Sequence, residues 1–226
     1  MQKLYNKLKE YSISDAINIE ESDRQYIALK KLYEFIRNKE IYLSLILMNS
    51  LICYQLSWKG EDYWEEFSTY FIENNVEKNN LIIEIWNFII QSKNNKRFIE
   101  TKINRLIKSK PFIENFVWKE EEYYYNNMSI LRTELAKVMK QKIDAKTIVF
   151  AIKMFSYWSR NVYNKINYFP KELNVPIDSR LIALYEKYKW EYEDINVFYL
   201  DLSKKLNIPE LHLDAILWVN YDNLIK

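Results

Sequence analysis

The chain has 226 residues, of which 49% are hydrophobic and 28% are charged, and its formal net charge is +2. This length suits one large domain or two small intertwined ones, and the composition excludes a disordered chain or a membrane-spanning one. One glycine and four prolines are too few for the turns of a β-rich fold of this size, so an all-helical fold is predicted.

Apolar residues recur at helical spacing from Asp23 onward. In the first half of the chain the predicted helices cover 24–36, with Asp23 as the cap, then 41–56, 61–71, 81–90 and 98–107. Gly60 is predicted to break the chain before the third of these helices, and Pro111 is predicted to end the section. The run 41–56 is too short and too often interrupted by polar residues for a membrane span, so a buried core helix holding a free Cys53 thiol is expected.

In the second half the predicted helices cover Met128–Met139, 145–158, 178–188, Ile195–Leu206 and 210–220. The first two are joined by about four residues, so we expect a helix-hairpin-helix at about 128–158. Lysines cluster around its turn, at positions 137, 140, 142 and 146. Lys140 and Lys142 are therefore candidates for binding a DNA backbone, although a solvated lysine fringe on an ordinary helical hairpin explains the same pattern.

Lys146 and Asp178 form the candidate catalytic pair. Asp144 is predicted to cap a helix that places Lys146 in its first turn, where the helix dipole disfavours a charged ammonium. A neutral amine is a nucleophile, whereas a protonated one is not. Asp178 follows after enough residues for one helix and a returning loop, so the two segments together indicate an enzyme with a lysine nucleophile.

The chain resembles the archaeal 8-oxoguanine DNA glycosylase family, AGOG, a branch of the helix-hairpin-helix glycosylases, in five segments spread along its length. These segments are Asp23–Tyr26, the pair Tyr54–Ser57 and Gly60–Trp64, Asp144–Met154, Pro176–Arg180 and Leu213–Trp218. The resemblance implies a single glycosylase domain over 1–226, made of two intertwined helical subdomains with the active-site cleft between them. The hairpin departs from the superfamily in having no glycine in its turn.

The family resemblance implies base-excision repair by a bifunctional glycosylase and lyase that acts on 8-oxoguanine. The damaged nucleotide would be flipped into a pocket, and Lys146 would attack its C1′ carbon, expel the base and form a Schiff base. β-Elimination then cleaves the strand on the 3′ side. The family's aspartate matches Asp178, which would orient the amine and stabilise the positive charge that develops on the sugar.

Five further residues match the family's base-binding positions. Asp214 would accept hydrogen bonds from the Watson–Crick edge of guanine, Phe150 and Trp218 would stack on the flipped base, and Gln25 would accept from N7–H, which distinguishes 8-oxoguanine from guanine. The indole N–H of Trp64 would donate to a base oxygen. Most of the candidate residues also have a structural explanation: the aromatic residues suit a helical core, Asp178 a helix cap, Lys146 a solvated first turn and Gln25 a surface. Asp214, in an apolar stretch, is less easily explained in this way, because a buried carboxylate needs partners.

Other features suggest no competing chemistry. His212 is the only histidine and has no fitting nucleophile nearby, zinc ligands are absent at usable spacings, and no cofactor or metal is implied. Seven basic residues between Lys93 and Lys110 either follow a DNA backbone or face water, and the acidic residues 120–122 are expected to be solvated. We expect a cytoplasmic monomer, associated with the nucleoid when it acts on DNA, with damaged DNA as its partner and no membrane or protein partner.

Two alternatives remain at this point. One is a glycosylase for a different damaged base, because the details of the pocket set the choice of base. The other is a catalytically silent helical protein that binds DNA or acts as a scaffold.

Overall fold

The structure, a computed structural model, describes residues 1–116 and 121–226, so residue 120 of the acidic run lies outside the described residues. All regular elements in these two ranges are helices, as predicted from the shortage of glycine. The chain forms two compact units. Unit 1 combines Met1–Ser22 with Tyr168–Lys226, and unit 2 is the continuous segment Asp23–Asn167.

Unit 2 is built around two buried helices that pack on each other, α4 (Lys39–Ile52) and α10 (Lys146–Tyr163). Its helices are α3 (Arg24–Ile36), α4 (Lys39–Ile52), α5 (Gly60–Glu73), a 3₁₀ turn (Lys78–Asn80), α6 (Leu81–Gln91), α7 (Ile99–Glu114), α8 (Glu121–Asn126), α9 (Met128–Met139) and α10 (Lys146–Tyr163). α4 is buried without interruption from Tyr42 to Ile52, because a helix that is apolar on all sides has no face to offer to water. This confirms the predicted core helix. No helix among the described residues is long and apolar enough to cross a membrane.

Unit 1 is formed by the two ends of the chain. Its helices are α1 (Gln2–Leu8), α2 (Ile13–Glu21), α11 (Ser179–Tyr188), α12 (Ile195–Leu206), α13 (Glu210–Val219) and α14 (Tyr221–Leu224). His212 on α13 is fully buried; its Nδ1 lies 2.8 Å from Glu20 Oε1 on α2, and its Nε2 accepts from the backbone N–H of Phe169 at 3.2 Å. These bonds assign the proton to Nδ1, so the only histidine has a satisfied structural position that ties α13 to α2.

Most predicted helices are confirmed to within a few residues, but three predictions need correction. α4 ends at Ile52 rather than at 56. It cannot extend to 56, because Gln55 adopts the left-handed region, with φ of 48°. Pro111 lies inside α7 and does not end it; the proline is exposed, so water can reach the carbonyl that loses its helical donor. Gly60 is the first residue of α5, not a break before it. α1, α2, α8 and α14 were not predicted.

Candidate active site

Lys146 is the first residue of α10, and its side chain is exposed. The predicted cap is wrong: Ala145 occupies the N-cap position, and Asp144 lies in the preceding turn, which Ala145 closes by donating its N–H to the Lys142 carbonyl at 3.1 Å. Alanine has no side-chain oxygen to accept from the N–H groups of the first turn. The start of α10 therefore presents a lysine beside uncapped amide donors, an arrangement that favours an anion.

Two of the predicted base-binding aromatic residues lie next to this lysine position in unit 2. Phe150 is one helical turn after Lys146 and is half-buried, and its ring centroid lies 6.3 Å from that of Trp64. Trp64 is fully buried, and its side chain hydrogen-bonds the Cys53 thiol. A buried indole N–H normally finds an acceptor, and the sulfur of Cys53 serves as one here.

Cys53 lies close to the same group. Burial raises the pKa of its thiol to about 12, against the opposing effects of the Trp64 hydrogen bond and the Lys102 and Lys146 charges. At neutral pH it is therefore protonated. The predicted free thiol is confirmed, but Cys53 lies directly after α4 and is half-buried rather than fully buried.

Gln25 belongs to the first turn of α3, where it is half-buried. Its amide nitrogen lies 3.1 Å from the position that a Cβ atom on Gly60 would occupy. Any larger residue at position 60 would press on this amide, so the single glycine makes room for the Gln25 side chain. The sequence pattern linked both residues to the family but did not reveal that they touch.

The remaining predicted residues belong to unit 1. Asp178 is the N-cap of α11, and its Oδ1 accepts from the backbone N–H groups of Arg180 and Leu181, each at 3.0 Å. The structural explanation of Asp178 as a helix cap is therefore correct. Both bonds use Oδ1, so Oδ2 keeps its capacity to accept from another group.

Asp214 and Trp218 lie one turn apart on α13, as their spacing predicted. Asp214 is only 9% exposed. Burial raises the pKa of the Tyr199 hydroxyl, and the Asp178 and Asp214 side chains act on it in the same direction. Trp218 is 39% exposed, and the Arg180 guanidinium stacks 3.7 Å from its ring centroid. Arg180 was part of the recognised segment, but no role was predicted for it.

The hairpin lysines Lys140 and Lys142 are both exposed. Lys140 ends α9 in the left-handed region, with φ of 51° and ψ of 48°. Gln141 N–H donates to the Ala136 carbonyl at 2.9 Å, and Lys140 N–H donates to the Lys137 carbonyl at 3.1 Å. These two hydrogen bonds make a Schellman motif. Lysine thus takes the position that glycine usually occupies in such a turn.

Of the two predicted interpretations of the basic segment between Lys93 and Lys110, exposure to water fits five of its seven cations, and contact with a DNA backbone stays a prediction. Lys102 is fully buried, and burial lowers the pKa of its amine to about 8. Arg105 and Lys108 donate to groups on neighbouring elements of unit 2. Lys102 and Arg105 are therefore the two cations that the fold covers, Lys102 fully and Arg105 partly, whereas Lys108 remains exposed.

Comparison with known proteins identifies the family. The family model described as AGOG, N-glycosylase/DNA lyase, matches residues 5–226. The chain belongs to the AGOG family. An N-glycosylase/DNA lyase of Thermococcus kodakarensis is 39% identical and covers 96% of this chain and 82% of its own length. That of Methanococcus maripaludis is 38% identical over 92% of this chain and 82% of its own length.

A solved structure shows the same fold. It is titled as Pa-AGOG, the 8-oxoguanine DNA glycosylase of Pyrobaculum aerophilum, in complex with 8-oxoguanosine, and it matches with a TM-score of 0.84 at 23% identity. The match covers 97% of this chain and 86% of that one. The predicted all-helical AGOG fold and the predicted class of enzyme, an N-glycosylase/DNA lyase of base-excision repair, are confirmed.

Proposed function

We propose that this AGOG-family chain removes 8-oxoguanine from DNA, with Lys146 as the nucleophile and Asp178 as its essential carboxylate. The observation that carries the proposal is the exposed lysine at an uncapped helix start, one turn from Phe150 and its neighbour Trp64. The relative whose structure is titled as an 8-oxoguanosine complex supports this choice of base.

In the proposed reaction the neutral Lys146 amine attacks C1′, and the bond between C1′ and the base breaks. The electron pair stays on the base nitrogen, which ends with one of the two amine protons; the bond between C1′ and O4′ then breaks, O4′ ends with the other proton as a hydroxyl, and C1′ and the nitrogen form the imine. Removal of a C2′ proton then expels the 3′ phosphate by β-elimination. A charged Asp178 stabilises the positive charge on the sugar, and its Oδ2 has the acceptor capacity for this role.

Each predicted base-binding residue is proposed to make one type of contact with the flipped base. Asp214 accepts from the Watson–Crick edge, Gln25 accepts from N7–H, and the indole N–H of Trp64 donates to a base oxygen in place of the Cys53 sulfur. Phe150 and Trp218 supply stacking faces, each contributing about 1–3 kcal/mol. One face of Trp218 already carries Arg180, so the base would stack on the opposite face.

Lys140 and Lys142 are proposed to contact the DNA backbone from the hairpin turn, where both are exposed. We further propose that the enzyme is a monomer. Because its substrate is DNA, we place it in the cytoplasm, in association with the nucleoid.

Borohydride trapping tests the proposal directly. A duplex with one 8-oxoguanine is incubated with enzyme and sodium borohydride, which reduces a Schiff base to a stable covalent adduct. The wild type should give the adduct, Lys146→Gln should give none, and the matched lysine variant Lys142→Gln should still react. An adduct formed only on other lesions would support a glycosylase for a different base, and DNA binding without any adduct would support a silent binding protein.

A further inference from the structure

Arg105 on α7 joins three separate elements of unit 2 through one guanidinium group. Its Nε donates to the Leu51 carbonyl at the end of α4, at 2.7 Å. Its Nη2 donates to Gln141 Oε1 in the hairpin turn at 2.9 Å and to Thr147 Oγ1 in the first turn of α10 at 3.1 Å. Thr147 is the residue directly after Lys146.

The start of α10 depends on this connection because its own cap is weak. Ala145 has no capping side chain, and the first turn is instead held through the Thr147 side chain: its hydroxyl accepts from Arg105 and donates to Gln141 Oε1 at 3.2 Å. The three groups form a closed triangle at the first turn. We propose that Arg105 is a positioning residue that fixes this turn and thereby aims the Lys146 amine, an inference that rests on the proposed function of Lys146.

Arginine suits this position better than lysine does. Its planar fork satisfies acceptors in several directions at once, whereas a lysine amine is a single point. The guanidinium is half-buried and lies 5.3 Å from the centre of the Tyr54 ring, and Lys102 approaches the same ring at 5.0 Å. With Nε and Nη2 engaged inside the protein, Arg105 holds structure together and is not a free phosphate ligand.

Lys108, one turn later on α7, provides a matched comparison. Its Nζ donates to the Met139 carbonyl at the end of α9, at 2.6 Å. It therefore ties α7 to the same hairpin, but through the end of α9 and not through the start of α10. Loss of either the Arg105 or the Lys108 hydrogen bonds should loosen the hairpin. Only loss of the Arg105 hydrogen bonds should change the position of the Lys146 amine.

The test measures the single-turnover rate of borohydride trapping on an abasic-site duplex, together with the affinity for that duplex and the melting temperature. Arg105→Met should slow trapping by about 10–100-fold, because a small misplacement of a reacting group has effects of this size. Affinity should change by less than about twofold, since binding is not the step affected. Thr147→Val should act in the same direction with a smaller effect, and Arg105→Lys should recover only part of the rate.

Lys108→Met should lower the melting temperature yet trap at close to the wild-type rate. Equal slowing in Arg105→Met and Lys108→Met would overturn the inference in favour of general loosening. A fall of about one in the slope of log affinity against log salt for Arg105→Met would also overturn it, because that result marks a phosphate contact. If the wild type forms the adduct and Arg105→Met forms it equally fast, the inference fails and the proposed function stands. If the wild type forms no adduct, the proposed function fails and this inference fails with it.

Discussion

Asp178 is expected to serve both the fold and the chemistry. As the N-cap of α11 it accepts two backbone N–H groups, and either aspartate or asparagine can do this. Stabilising a positively charged sugar requires the negative charge, which only the aspartate provides. The two roles can therefore be separated by substitution.

We expect Asp178→Asn to keep the stability of the wild type to within a few tenths of a kcal/mol and to lose about 10²–10³-fold in glycosylase rate. Asp178→Ala should lose the rate and also about 1 kcal/mol of stability, because the cap is gone. Single-turnover base release and chemical denaturation measure the two effects separately.

Asp194 is the matched control within unit 1, because it caps α12 in the same way, with Oδ1 accepting from Asn196 N–H at 2.7 Å and Val197 N–H at 3.0 Å. Asp194→Ala should lower stability like Asp178→Ala but leave base release unchanged. Wild-type rates in Asp178→Asn would show that Asp178 is only a cap.

The helix caps show what sequence reasoning reaches at the scale of single residues. Asp23 and Asp178 were predictable because a cap is made by neighbours in the chain. Contacts between distant positions were not: Arg180 with Trp218, Gly60 with Gln25, and Arg105 with Thr147 each join different helices. The family segments included several of these residues, yet one sequence contains no record of which of them touch.

At the scale of elements, helices with a clear apolar stripe were predictable and short or irregular ones were not. Met128–Met139 and Ile195–Leu206 were predicted to the residue, because each has regular spacing and a turn residue after it. The small helices α1 and α14 were missed, since seven and four residues contain too little periodicity to detect. The predicted helix end at Pro111 is wrong because a proline inside a helix is tolerated when it is exposed, and exposure depends on the tertiary structure.

The end of α9 offers a prediction for the hairpin. Lys140 adopts a left-handed conformation that is unfavourable for a residue with a Cβ atom, by about 1 kcal/mol. Lys140→Gly should therefore stabilise the protein by about 1 kcal/mol and raise the melting temperature by about 2–4 °C. The same change removes a cation, so affinity for DNA should fall and the salt slope should decrease by about one.

Lys142→Gln separates these effects, since Lys142 lies outside the left-handed position. It should reduce the salt slope in the same way but leave the melting temperature unchanged. If Lys140→Gly stabilises the protein without changing its salt dependence, Lys140 is a structural residue and does not contact the DNA backbone.

At the scale of the whole molecule, each of the two units contains some of the residues proposed to act on DNA. Lys146, Gln25, Trp64 and Phe150 belong to the continuous unit 2, whereas Asp178, Asp214 and Trp218 belong to unit 1. Because Asp214 and Trp218 both lie on α13, the integrity of this helix governs their positions within unit 1. Glu210, at the start of α13, is fully buried, and its Oε2 accepts from Val175 N–H at 3.1 Å.

Burial raises the pKa of Glu210 from 4.5 to about 7, although the Val175 hydrogen bond and the Lys204 charge oppose this. The folded protein therefore binds one more proton than the unfolded chain between these two values. Stability contributed at this site is fully present below pH 4.5 and is lost as pH rises toward about 7, by an amount on the order of 3 kcal/mol.

Glu210→Gln keeps an acceptor for Val175 and removes the charge, so it should remove this dependence on pH. Relative to the wild type, the variant should gain stability on the order of 3 kcal/mol between pH 4.5 and pH 8, as measured by denaturant unfolding at both values. The substitution Glu193→Gln at an exposed position of the same unit is the control and should show no such change. A constant difference between Glu210→Gln and wild type at the two pH values would mean that the buried carboxyl does not titrate in this range, and that α13 is held equally well in acid and at neutral pH.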